Sequence, residues 1–212
     1  MAFRRFIAVV AACACCGAWA DFAADYASGD RAYRSGDVRA AIAVLKPAAQ
    51  AGHAPSQALM GRILEGAFES AEAAKYYRMA AEQGDPDGLY GLGVLYLSGE
   101  GVPRDPAVAR DWIMKAAQAG HPNATTTVGL AYVRGGLGFS EADRQSREAL
   151  PWIEKAAANG ALDAVDRLAV AYRKGDYGLT PDAKKAEALE ARARELRKLT
   201  PEKGRKRAKA NG

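Results

Sequence analysis

Residues 112–120, WIMKAAQAG, return forty positions later as WIEKAAANG at 152–160. Two looser copies, VLKPAAQAG at 44–52 and YYRMAAEQG at 76–84, keep the apolar start, the Ala-Ala pair and the closing Gly. Those closing residues, Gly52, Gly84, Gly120 and Gly160, follow one another at 32, 36 and 40 residues. A period in this range marks a solenoid, in which no unit buries its apolar face alone and stacking completes the core.

A second motif falls between the copies: AYRSG (32–36), LYLSG (95–99), AYVRG (131–135) and AYRKG (171–175), with ILEG (63–66) as a version one residue shorter. Each unit is therefore expected to run helix A, Gly turn, helix B, Gly turn. Apolar and small residues recur at three- and four-residue spacing, and a Gly stands where a C′ residue would. Asp85-Pro86, Asp105-Pro106 and Thr180-Pro181 place a capping side chain before a proline suited to the first helical position. Around Ser140, SEAD offers a capping-box pattern, and a loop is an equal alternative. Trp112, Trp152 and Tyr76 are the expected anchors of helix B; its alanines, with Gly93 and Gly129 on helix A, let the helix axes approach.

With 212 residues, 49% hydrophobic and 26% charged, the chain can hold one sizeable folded region. Residues 21–183 carry 17 Lys and Arg against 21 Asp and Glu, whereas 184–212 carry 11 against 4. The body is slightly acidic and the tail basic. At the N-terminus, Arg4 and Arg5, an apolar run over 6–17 and Ala18-Trp19-Ala20 have the three parts of a secretory signal. That run is shorter than the ~20 residues a transmembrane helix needs. Cys13, Cys15 and Cys16 all fall in this segment, so a chain cleaved near Ala20 has no disulfide and relies on its packed core. Val10-Ala11-Ala12-Cys13 offers an alternative, a lipid anchor at Cys13. The expected organisation is a signal over 1–20, a repeat solenoid over 22–198 and a basic, disordered tail over 199–212. The expected location is periplasmic or secreted.

The stretch LYGLGVLYLSGEGVPRDPAVARDWIMKAAQAGHPNA, residues 89–124, resembles a Sel1-like repeat, with LG-x-x-Y, G-x-GV, D, A-x-x-W and KAA-x-x-G in order. The likeness is good over 123–161, looser over 56–85 and weak in the flanking units. It implies an all-α fold, an α/α solenoid of about five helix-turn-helix units related to tetratricopeptide repeats. It also implies adaptor or scaffold work, often in exported bacterial proteins. The second unit lacks the G-x-GV loop, and the fourth replaces it with GGLGFSEADRQS. Many exported relatives staple each repeat with a disulfide; this chain cannot, so the penicillin-binding activity suggested for that branch does not carry over.

Catalytic and metal signatures are absent from the sequence. His53 and His121 each follow a repeat Gly, as turn residues would, and a zinc site needs three or four convergent ligands. No G-x-S-x-G or P-loop occurs, and no cofactor or metal is expected. Glu65, Glu69 and Glu72 fit a solvated connection better than an acid/base pair. Binding has the stronger case. On helix A, one stripe (Met60/Ile63/Leu64, Leu92/Leu95/Tyr96, Val128/Ala131/Tyr132, Leu168/Ala171/Tyr172) faces the core. The opposite stripe is unexpectedly apolar in its middle. Tyr90, Val94, Leu97, Leu130, Val133 and Val170, with Arg62 and Arg173 at its charged ends, are the candidate lining of a partner groove. The alternative is that the stripe is also core. In the tail, residues 181–198 are expected to form a last helix. Beyond it Arg205, Lys206, Arg207 and Lys209 are candidates for contact with anionic envelope surfaces, and no nucleic acid is expected because no aromatic residue interleaves with them. The expected function is a non-catalytic protein-interaction scaffold or adaptor of the bacterial envelope, binding a protein or peptide; the alternative is a cell-wall accessory or hydrolase-like protein binding glycan or peptide.

Overall fold

A computed structural model describes residues 14–199 of the chain; residues 1–13 of the expected signal segment, Cys13 included, and the tail cations from Arg205 to Lys209 lie outside them. Eleven α-helices and no strand occur among the described residues. They form five successive hairpins: α1 (Ala14–Arg34) with α2 (Val38–Gln50), α3 (Ala54–Gly66) with α4 (Ser70–Glu82), α5 (Pro86–Ser98) with α6 (Pro106–Gln118), α7 (Pro122–Arg134) with α9 (Ala149–Ala158), and α10 (Leu162–Lys174) with α11 (Ala183–Leu199). A short α8 (Glu141–Gln145) is inserted in the fourth hairpin. None of the described helices is long and apolar enough to cross a membrane. The backbone divides into two compact units: one runs to Leu92 and takes in Glu100–Val102, and the other holds Gly93–Gly99 and the chain from Pro103.

The second helices of the first four hairpins share one buried stripe. Ala41, Leu45 and Ala48 in α2 correspond to Ala73, Tyr77 and Ala80 in α4, to Ala109, Ile113 and Ala116 in α6, and to Ala149, Ile153 and Ala156 in α9; all are almost fully buried. The spacing of four and then three residues keeps each trio on one face. Burial of each large central side chain stabilises the fold by about 1.5–3 kcal/mol. In the first three hairpins its place is made by a glycine of the preceding helix, while in the fourth Gly129 lies against Ala156 and the Trp152 backbone instead. A methyl group on Gly93 would stand 2.6 Å from Ile113 Cγ1, and the same crowding links Gly29 to Leu45 and Gly61 to Tyr77. The anchors expected at Trp112, Trp152 and Tyr76 are therefore displaced by one residue. Those three rings are only half-buried. Lys115 Nζ stands 4.5 Å from the Trp112 ring and Lys155 Nζ 4.8 Å from that of Trp152, a cation–π arrangement suited to a ring at the edge of a core.

The last hairpin ends this pattern. Ala169 replaces the glycine, and the α11 stripe runs Ala186, Glu190, Ala193, with a carboxylate in the central position. Glu190 accepts a hydrogen bond from Arg173. Asp182, rather than Thr180, caps α11, accepting from the Lys185 N–H at 3.0 Å, and the helix starts two residues later than the sequence implied.

The turns sort into two kinds. After α1, the Gly36 N–H donates to Tyr33 O and the Asp37 N–H to Ala32 O; after α3, the Phe68 N–H donates to Glu65 O and the Glu69 N–H to Leu64 O. These are the paired bonds of a Schellman turn, whose left-handed residue is usually Gly. Gly36 obeys with φ 88°, but in the second hairpin Phe68 stands there with φ 62°. The ILEG motif had placed the turn glycine at Gly66, which is instead the last residue of α3. A left-handed phenylalanine costs about 1–2 kcal/mol that glycine does not. The turns inside the later hairpins, after α5, α7 and α10, are longer, whereas those between hairpins, at Gly52, Gly84, Gly120 and Gly160, keep the short glycine form. SEAD forms a true capping box, the Ser140 N–H donating to Asp143 Oδ2 at 2.8 Å and the Asp143 N–H to Ser140 Oγ at 3.1 Å. Asp85 and Asp105 cap α5 and α6 as expected, accepting from Gly88 at 2.8 Å and from Ala107 at 3.0 Å.

Gly93→Ala tests the central contact. Helix propensity alone favours alanine by about 1 kcal/mol, whereas overpacking against Ile113 costs about 1–3 kcal/mol. Urea unfolding should show a net loss of stability, and Ile113→Ala should cost less in the Gly93→Ala background than alone. A more stable Gly93→Ala would contradict the close packing.

Candidate functional site

The helix A stripe is neither core nor fully open. Tyr90, Val94, Leu97, Leu130 and Val133 are half-buried, Val170 is 39% exposed, and Arg62 and Arg173 are exposed. The opposite stripe is core as expected: Met60, Ile63, Leu92, Leu95, Val128, Ala131, Tyr132, Leu168 and Ala171 are buried, with Leu64, Tyr96 and Tyr172 partly so. Two of the candidate residues converge. Leu97 and Leu130, with Thr127, Ala131, Arg134 and the segment Gly135 to Leu137, line an apolar pocket of about 270 Å³ in the second unit. Val170 opens into a different, charged depression with Asp166, Glu190, Arg194 and Arg197. In the first unit Arg62 is held by Asp87 at 3.1 Å.

One wall of the pocket escaped the sequence. Leu137 is buried with φ 49° between Gly136 and Gly138, both also left-handed. Its side chain turns inward because the loop around it is fixed at several points. Arg144 donates to the carbonyls of Tyr132 at 3.2 Å and Val133 at 3.0 Å, closing the end of α7. Phe139 stacks on Tyr132 at 4.1 Å, with the Arg110 guanidinium 5.6 Å from the Phe139 ring. At the rim, Arg134 is ion-paired with Asp163, which holds that carboxyl below the usual range. The G-L-G spacing was the available signal, since glycines on both sides permit a reversal that presents the middle side chain inward.

The other chemically suggestive residues are occupied structurally. Glu65 accepts a hydrogen bond from the Tyr77 hydroxyl at 2.7 Å, and Glu72 pairs with Lys75 at 2.6 Å. Burial, then the Glu65 bond, pushes the Tyr77 hydroxyl above its usual range. The His121 Nδ1 accepts from the Ala124 N–H at 3.1 Å and so caps α7, which requires the neutral ring. His53 lies against Phe22 and Tyr26, with its Nδ1 2.8 Å from Ser56 Oγ. No group of three or more metal-ligating side chains occurs among the described residues.

Successive α/α hairpins stacked through alanine and glycine, with an apolar pocket on the first-helix side, define a helical-repeat solenoid. The Sel1 repeat family model matches residues 54–85, 86–121, 128–160 and 162–195. The chain belongs to the Sel1 repeat family, whose fold typically mediates protein–protein interaction and whose members are generally non-catalytic. The α1–α2 hairpin lies outside the matched residues. Among solved structures, the chain is similar to a Sel1 repeat protein from Oxalobacter formigenes, with 25% identity and a TM-score of 0.67 over 81% of this chain and 68% of that one. It is also similar to c5321, a protective antigen of uropathogenic Escherichia coli, with 30% identity and a TM-score of 0.66 over 82% of this chain and 38% of that one. The chitin synthase regulator SKT5 of Saccharomyces cerevisiae is 33% identical over 106 residues, which are 47% of this chain and 15% of the relative.

Protonation of His53 gives a measurable consequence. Burial lowers its pKa in the fold, with the nearby Asp85 charge opposing. The unfolded chain, with a histidine pKa of about 6.5, therefore binds the proton first as pH falls. The His53 contribution should be constant above pH ~7 and should be lost as pH drops through ~6.5 toward the lower folded value. His53→Gln should flatten the urea-midpoint profile between pH 7 and pH 5, and an unchanged slope would show that other groups carry it.

Proposed function

We propose that this protein is a non-catalytic adaptor of the bacterial cell envelope that holds a protein or peptide partner through the pocket between Leu97, Leu130 and Leu137. The observation that carries the reading is the pocket itself: aliphatic side chains are left half-buried on the first-helix stripe while the opposite stripe completes the core. A pocket with apolar walls and one guanidinium at its rim suits an aliphatic or aromatic side chain of a partner, the kind of anchor that dominates binding energy. Among the described residues, hydrogen bonds from Ser140 and Arg134 hold the carboxyls of Asp143 and Asp163 below the usual range. A general acid needs the opposite shift. Envelope placement rests on the signal-like segment over 1–20.

Leu130→Asp separates binding from folding, because Leu130 is half-exposed and a carboxylate there remains hydrated. With the protein as bait in envelope extracts, the wild type should recover a specific protein. The variant should bind that protein roughly 10–100-fold more weakly, the loss typical of a hot-spot residue, with unchanged circular dichroism. Recovery of glycan alone would overturn the reading.

A further inference from the structure

We propose that the α3–α4 turn, led by Phe68, is a docking tip for the basic C-terminal segment, residues 200–212, of a second copy of this chain. Phe68 is 93% exposed at φ 62°. The equivalent turn between α1 and α2 makes the same pair of hydrogen bonds with glycine in that position. The fold thus gains neither burial nor turn geometry from the ring. An exposed large apolar side chain in an unfavourable backbone conformation is the expected cost of a contact made outside the molecule.

The ring's surroundings specify the contact. Glu65, Glu69 and Glu72 flank it in sequence, Glu69 is exposed, and Lys75 answers only Glu72. An aromatic face among carboxylates attracts a cation twice, through the ring quadrupole and through charge. This chain repeatedly uses that pairing: Arg110 with Phe139, Lys115 with Trp112, Lys155 with Trp152, Arg167 with Tyr177 and Lys185 with Tyr172 stand 4.5–5.6 Å apart. Phe68 presents its ring to solvent.

The complementary segment is in the same sequence. TPEKGRKRAKANG follows Leu199 with five cations, Lys203, Arg205, Lys206, Arg207 and Lys209, against the single Glu202. Fully extended, its 13 residues reach about 43–47 Å, far enough to lie on a neighbouring molecule. Residues 21–183 carry 21 Asp and Glu against 17 Lys and Arg, so an acidic body and a basic end are present in every copy.

Sedimentation equilibrium of the full chain at 20 mM and 500 mM salt tests the proposal. Concentration-dependent association is expected at low salt and should weaken at least tenfold at high salt. Phe68→Gly should abolish it while its Tm equals or exceeds that of the wild type, because glycine suits the turn. Phe68→Tyr should retain it, and Leu130→Asp should leave it unchanged, separating this contact from the pocket. A variant with Arg205→Gln, Lys206→Gln and Arg207→Gln should also be monomeric, yet should associate when mixed with Phe68→Gly, since each then supplies the part the other lacks. A chain that is monomeric at low salt, or that associates equally with Phe68→Gly, would overturn the proposal. So would a basic segment that holds the monomeric protein on phosphatidylglycerol vesicles without association.

Discussion

A missing Cβ on one helix and a large side chain on the next set the spacing of this fold. Where Gly93 faces Ile113, the helices approach to a distance that no other residue at position 93 permits without displacement. The alanines at 109 and 116 extend the close contact one turn either way. Because the apolar energy sits in these inter-helix contacts, each hairpin is stable only beside another. That dependence explains why the motif recurs with little change, and why the backbone between contacts is free to vary.

The termination of the pattern follows from the same constraint. Tyr77 shows how completely a central side chain can be enclosed: it meets Gly61 of its own hairpin and Gly91 of the next. Glu190 occupies the corresponding position in α11, and a carboxylate there could not be enclosed by a further helix without losing its hydration. Its pairing with Arg173 keeps it at the surface. Ala169, one methyl larger than glycine, is compatible because α11 brings alanine at 186 and 193 to its stripe. The α10–α11 hairpin thus has the composition of a cap.

The helical class, the five hairpins and the core stripe of helix A were legible because they depend on periodicity, which repeats average and reinforce. The anchor position was misassigned for a specific reason. In WIMKAAQAG the Trp is the larger side chain, but it lies about 100° around the helix from Ile113, and the glycine opposite selects by direction rather than size. Phe68 was missed because the ILEG motif contains a glycine close enough to satisfy the expected turn. Helix α3 continues through Gly66 and transfers the left-handed conformation to a residue that propensity would never choose. The pocket was half legible: Leu97 and Leu130 follow from helical spacing, whereas Leu137 depends on a loop held by Arg144 and Phe139, contacts without a periodic signature.

Departures from the repeat therefore carry different information from the repeat itself. A residue shared by all units answers to stacking, and its replacement is resisted by both neighbours. A turn answers only to the two helices it joins, so a turn can lengthen around Leu137 or accept a phenylalanine at 68 while the contacts on either side stay intact. The energetic cost of such a change is local and small compared with the loss of a central side chain. For that reason a helical-repeat protein can acquire recognition at its turns and half-buried stripe without redesigning its core. The two features of this chain that are hardest to explain by packing, a pocket wall built from a left-handed leucine and an exposed left-handed phenylalanine, both stand at those permitted places.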